Sequence, residues 1–76
     1  MNDERLKYIS DKLSYLLDKP VMIFDDVPGY AVCLCDKNIT KDSLETTGYY
    51  YIASYEFGKT NLELISEIAD YLRGYV

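Results

Sequence analysis

The chain has no histidine and no tryptophan, and only two cysteines, two prolines and four glycines in 76 residues. Without histidine it lacks the commonest general base and the usual activating partner of a nucleophilic serine or cysteine. Cys35 therefore has no imidazole to activate it. A structural zinc site wants four ligands, and two cysteines without histidine fall short of that set, so no metal is expected. Cys33 and Cys35 are one residue apart, a spacing that on a strand puts both side chains on one face but well along it. That separation suits a disulfide poorly, and both are expected as buried free thiols. Scarce proline and glycine leave little material for linkers, so most of the chain is expected to be ordered. No apolar run approaches the roughly 18–20 residues of a membrane span. The start, Met1-Asn2-Asp3-Glu4-Arg5, lacks the basic and apolar character of a signal peptide. Cytoplasmic localisation with no membrane partner is the expectation.

What is present reads as a globular protein. A chain of 76 residues makes one domain, 1–76, and buries about 60–65% of the surface its unfolded form exposes. Apolar residues make up 49% and charged residues 28%. The net charge of −5 is unevenly spread: residues 1–20 balance four acids against four bases, whereas residues 21–76 carry nine acids against Lys37, Lys41, Lys59 and Arg73. An acidic surface disfavours phosphate backbones and anionic membranes and favours basic partners.

Leu6, Ile9, Leu13, Leu16 and Leu17 recur at steps of three and four, predicting a helix over 3–18 that ends before Lys19-Pro20. Val21-Met22-Ile23-Phe24 reads as a strand closed by Asp25-Asp26-Val27-Pro28-Gly29, whose Pro-Gly pair predicts a type II turn. Tyr30 to Cys35 returns as a second strand, apolar on both faces, as befits a central strand or one with a face reserved for a partner. Residues 36–47 are polar and read as a loop with a short helix. Gly48 to Phe57 holds four of the nine tyrosines and reads as a third strand. Its alternation separates Tyr49, Tyr51, Ala53, Tyr55 and Phe57 from Tyr50, Ile52, Ser54 and Glu56. Thr60 with Glu63 forms a capping box that opens a second helix with the stripe Leu62, Ile65, Ile68, Ala69, Leu72 and Val76. The expected fold is α+β, a two-layer α-β-β-β-α arrangement of a three-stranded antiparallel sheet and two flanking helices.

The order α-β-β-β-α resembles the double-stranded-RNA-binding domain, which implies an RNA-binding alternative. That family grips phosphates with a lysine-rich start to its last helix, and this chain has Gly58-Lys59-Thr60-Asn61-Leu62-Glu63 there. Tyr49, Tyr51 and Tyr55 would suit a stacking platform for single-stranded RNA or DNA. The groove would also need positive charge, and residues 42–70 hold six acids against Lys59 alone. Nucleic acid is therefore not the expected partner. Asp25, Asp26 and Glu56 are the nearest approach to a cation-binding set, and adjacent aspartates are ordinary turn formers. No catalytic or cofactor motif is present, so neither an enzyme nor a cofactor is expected.

Tyrosine supplies large, rigid contact area with a polar tip and is enriched at interfaces. The favoured expectation is thus a small acidic protein-binding module with a basic protein partner. Its contact residues are Tyr49, Tyr51, Tyr55, Glu56, Glu63, Glu67 and Asp70. Short, acidic, tyrosine-rich chains of this kind resemble, in composition only, inhibitors that phages and mobile elements direct at host nucleases and defence complexes. Within that resemblance, Asp42, Glu45, Glu56, Glu63, Glu67 and Asp70 form a candidate imitation of DNA. The alternative is a homo-oligomeric structural or regulatory domain, possible as a homodimer, whose sheet face pairs with itself. The two readings turn on whether both helices cover one side of the sheet, leaving the aromatic side open, or one helix covers each.

Overall fold

The computed structural model describes residues 3–35 and 46–76. It is an α+β fold in the order helix, three-stranded antiparallel sheet, helix. Helix α1 spans Asp3–Leu17, strand β1 Val21–Asp26, strand β2 Gly29–Cys35, strand β3 Thr46–Ile52 and helix α2 Asn61–Leu72. A 3₁₀ turn, Ser54–Gly58, joins β3 to α2, and another, Arg73–Tyr75, follows α2. The strand order is β1-β2-β3, so β2 is central, as its two apolar faces predict. No helix among the described residues is long and apolar enough to cross a membrane.

Helix α1 stops where Asp18 adopts a left-handed conformation, φ 52°, which aspartate tolerates better than most residues. Ser14 ties the helix to the sheet: its hydroxyl donates to the Ser10 carbonyl and accepts the Val21 N–H, both at 2.9 Å. The turn between β1 and β2 differs from expectation. Its central residues are Val27 and Pro28, joined by a cis peptide, and no glycine has positive φ. Gly29 instead begins β2, where a Cβ would fall on the Ile52 carbonyl oxygen and 2.5 Å from the Tyr51 hydroxyl. Glycine is required there for close approach rather than for turn geometry.

Both helices lie on one face of the sheet. Ile9, Leu13 and Leu17 from α1 and Leu64, Ile65, Ile68, Ala69 and Leu72 from α2 close over Val21, Val32, Leu34 and Ile52. Burying each of the larger side chains stabilises the fold by about 2 kcal/mol. Leu62 and Val76, assigned to the α2 stripe from the sequence, are exposed, and Leu64 is buried in their place. Leu16 of α1 is exposed as well.

The opposite face carries Ala31, Cys33 and Cys35 on β2, with Met22 and Phe24 packed against them from β1. The register sets Tyr51 beside Ala31 and Tyr49 beside Cys33, so these two tyrosines share that face. Ala31, Cys33 and Cys35 are buried on this face. Neither cysteine is in a disulfide.

The tyrosine run is not one strand. It leaves the sheet at Ile52 because Glu56 folds back: its Oε2 accepts the Ala53 N–H at 2.8 Å, and the Glu56 N–H donates to the Ala53 carbonyl. A carboxylate three residues on satisfies the amide that would otherwise continue the ladder, and the chain coils into a 3₁₀ turn. The odd-even alternation therefore holds for Tyr49 and Tyr51 but not for Tyr55. The loop expected over 36–47 falls on residues 36–45, outside the described residues, while Thr46 and Thr47 already belong to β3.

Candidate functional site: a tyrosine groove at the sheet edge

β3 has β2 on one side and, among the described residues, no strand on the other. Along it lies a groove of about 450 Å³ lined by Tyr49, Tyr50, Tyr51 and Tyr55, with Ala53, Glu56 and Tyr71. Successive strand residues point to opposite faces, so a groove touching Tyr49, Tyr50 and Tyr51 follows the outer edge of the strand. The sequence expectation brought Tyr49, Tyr51 and Tyr55 together, and the groove does bring them together, though across a strand and a turn rather than on one flat face. Tyr49 is 45% exposed and Tyr55 80% exposed, whereas Ile52 is fully buried.

Each wall of the groove is set by an identifiable contact. The Tyr49 hydroxyl donates to Asp26 Oδ2 at 2.9 Å, spanning from β3 across the sheet to the end of β1. That bond to a carboxylate raises the Tyr49 pKa, because losing the proton would set two anions together. Tyr50 lies on the helix side, edge-on to Tyr71 with ring centroids 5.4 Å apart. Its hydroxyl donates to Glu56 Oε1 at 3.3 Å. Burial, then the charge of Glu56, raises its pKa. Tyr71 is paired with Tyr75 through their hydroxyls, 3.3 Å apart.

The acidic residues do not form a single surface. Glu56 is only 8% exposed, so it differs from the exposed contact residue expected: it is an internal cap whose carboxylate floors the groove. Glu63 is exposed at the start of α2, where its N–H donates to Thr60 Oγ1 at 3.2 Å, the expected N-cap bond, while its Oε1 accepts from the Thr60 hydroxyl at 3.1 Å where a capping box would have it accept from the Thr60 N–H. Glu67 binds Lys59 at 2.8 Å, and Asp70 binds Arg73 at 2.7 Å. Lys59 also approaches Glu56 Oε1 at 3.8 Å. Of the six acids in the DNA-like set, Asp42 and Glu45 lie outside the described residues. Glu56 is turned inward, and Glu67 and Asp70 are partly neutralised by neighbours. Asp25, Asp26 and Glu56 do not assemble: no cluster of three potential metal ligands exists among the described residues.

Sequence reasoning missed three contributors. Tyr71 enters from α2, three residues after Ile68, and the Tyr71–Tyr75 pair at i,i+4 was its only signal. Tyr50 was set apart from the other tyrosines by strand alternation. Arg5 entered only as one of the four bases that balance the acids of residues 1–20. Its guanidinium instead reaches the joint between the 3₁₀ turn and α2: Nε donates to Asn61 Oδ1 at 2.6 Å, Nη1 to the Phe57 carbonyl at 2.9 Å and Nη2 to the Lys59 carbonyl at 2.6 Å. It also lies over the Phe57 ring, 5.5 Å from its centroid. Arg5 thereby fixes the turn that carries Tyr55 and Glu56.

A second groove, of about 320 Å³, runs between the helices and is lined by Tyr8, Lys12, Tyr15, Leu16, Leu62 and Ile65. Tyr15 and Leu62 are 83% and 78% exposed, and Tyr8 and Leu16 about half exposed. Comparison with protein-family models, curated proteins and solved structures finds no match to this chain.

Proposed function

We propose that this chain is a small acidic protein-binding module that engages a basic protein along the outer edge of β3. The observation that carries the reading is the groove of five tyrosines built on an edge strand and floored by a carboxylate. Tyr49, Tyr51 and Tyr55 supply apolar contact area with hydrogen-bonding tips, and the edge backbone offers N–H and C=O groups to an extended segment. Glu63, Glu67 and Asp70 on the outer side of α2 add negative charge nearby, which steers a basic partner without needing to touch it. We take the target to be a protein with a basic surface, as proteins that handle nucleic acid have. Obstruction of such a surface is the mode of action, consistent with the inhibitor-like composition.

Display selection of random peptides against the immobilised chain tests this. Peptides enriched in Lys and Arg are expected, with binding that falls as salt rises and is lost in a Tyr51→Ser/Tyr55→Ser variant whose circular dichroism is unchanged. Selected peptides that are neutral, salt-insensitive and indifferent to the double variant would overturn it.

Self-association is a second reading, favoured by the groove between the helices rather than by the sheet face. Taking about 200 Å² for each fully exposed large side chain, Tyr8, Tyr15, Leu16 and Leu62 leave about 500 Å² exposed per copy. Two copies meeting there would bury about 1,000 Å², the lower bound for a specific interface. Residues 1–20 carry no net charge, so copies meeting through α1 are not driven apart as copies meeting through the acidic remainder would be. Sedimentation velocity over a hundredfold concentration range is expected to show a dimer that Tyr15→Ser/Leu62→Ser dissolves. A monomer throughout sinks this reading.

A further inference from the structure

Resting on the reading of β3 as a binding edge, we infer that the tyrosine groove is a seat for one cationic side chain, the ammonium or guanidinium of a lysine or arginine presented by the partner. Aromatic rings attract cations through their quadrupole, most strongly where water is partly excluded, and five tyrosines line this groove. Glu56, a buried carboxylate residue, also lines the groove and adds its charge to that attraction. Among the described residues, none that lines the groove is basic.

The internal contacts of Glu56 come mostly from neutral groups. Its carboxylate accepts from the Ala53 N–H and the Tyr50 hydroxyl, both neutral donors. Among the described residues Lys59 is the cation paired with it, but its ammonium binds Glu67 at 2.8 Å and stands 3.8 Å from Glu56. Two carboxylates thus share one ammonium, leaving a net charge of −1 beside the aromatic walls. Beside it, burial first and then the charges of Glu56 and Glu67 raise the Tyr50 pKa, with Lys59 acting in the opposite direction. A carboxylate held in place by two donors and flanked by rings is preorganised, so a cation entering meets little reorganisation cost.

The seat differs from the exposed acids of α2 in what it discriminates. Glu63, Glu67 and Asp70 attract any cation from solution, whereas the groove also rewards an alkyl stem lying against tyrosine. A lysine side chain satisfies both demands, and norleucine, its uncharged counterpart of similar shape, satisfies one.

The test is a titration of the ¹⁵N-labelled chain with a blocked tripeptide of lysine between glycines, and with the same tripeptide carrying norleucine. Saturable shifts are expected at the amides of Tyr51, Ala53 and Glu56, with lysine binding at least about tenfold more tightly than norleucine. A loss of about tenfold is expected in Glu56→Gln. Tyr55→Ser, at an exposed position where folding is not at stake, should weaken binding about threefold to tenfold. Equal binding of the two tripeptides, or shifts confined to Glu63, Glu67 and Asp70, overturns the seat. If the selected basic peptides still need Tyr51 and Tyr55 while the lysine tripeptide leaves Ala53 and Glu56 unmoved, the seat is wrong and the binding module stands. If neither ligand binds, both fall.

Discussion

Replacing Arg5 by alanine removes three hydrogen bonds that fasten the start of α1 to the joint between the 3₁₀ turn and α2, more than fifty residues away in sequence. Partly buried bonds from a charged donor contribute about 1–1.5 kcal/mol each once the water that replaces them is counted. The contact with the Phe57 ring adds about 0.5–1 kcal/mol. Against this, freeing the long side chain returns about 2 kcal/mol of rotamer entropy to the folded state. The net expected loss is about 2–3 kcal/mol, or about 10–20 °C in Tm for a domain of this size. Lysine keeps the charge but cannot present a planar fork to three acceptors, so Arg5→Lys should lose about 1–2 kcal/mol, between wild type and alanine. Urea denaturation followed by circular dichroism reads both, with the slope against urea unchanged. An alanine variant within about 0.5 kcal/mol of wild type would refute the fastening role. A lysine variant equal to wild type would show that charge rather than the fork matters.

Gly29→Ala should cost more than about 2 kcal/mol by thermal or urea melting, since its Cβ meets the Ile52 backbone and the Tyr51 ring, whereas Gly58→Ala, which meets nothing, should lie within about 1 kcal/mol of wild type. Thr60→Ala removes the oxygen that caps α2 at the Glu63 N–H and should cost about 1 kcal/mol by the same measurement. In alkali, Tyr49, Tyr50 and Tyr71 hold their protons above the ordinary tyrosine range, so the unfolded chain releases protons first. Their contribution is fully present below about pH 10 and is lost as pH rises through the raised folded values. Stability measured in urea from pH 8 to 12 should therefore decline from about pH 10 upward, and less steeply in Tyr50→Phe; a flat profile would contradict the assignment.

How far the chain announced this architecture depends on which interactions were local. Helix α1, the hairpin and the Thr60 cap follow from periodicity, turn residues and a four-residue motif, all legible within a short window. The Glu56 cap was equally local, but the aromatic and β-branched character of Tyr49 to Phe57 outweighed one glutamate three residues past Ala53. Strand propensity reports fit to a half-buried pleat, and Tyr55, Glu56 and Phe57 fit a turn that buries the same atoms another way. Leu62 and Leu64 could not be ranked from period alone, because the stripe's centre is set by where α1 lies. The groove needed three distant pieces, β3, the 3₁₀ turn and Tyr71, so only Tyr49, Tyr51, Tyr55 and Glu56 were visible in advance. Arg5 was out of reach altogether: nothing near it in sequence is what it touches.

The pairing of α1 with α2 has a kinetic meaning. The first and last helices share one core, so that core cannot close until segments some fifty residues apart have met. Loop-closure entropy must be met before most of the hydrophobic burial is gained. The β1–β2 hairpin can form early and reversibly, but it becomes a platform only when both chain-distant helices land on it. Hydrogen exchange at the buried amides of β2 should then proceed only through complete unfolding, with no partly folded shortcut, and the structure opens as one unit or not at all.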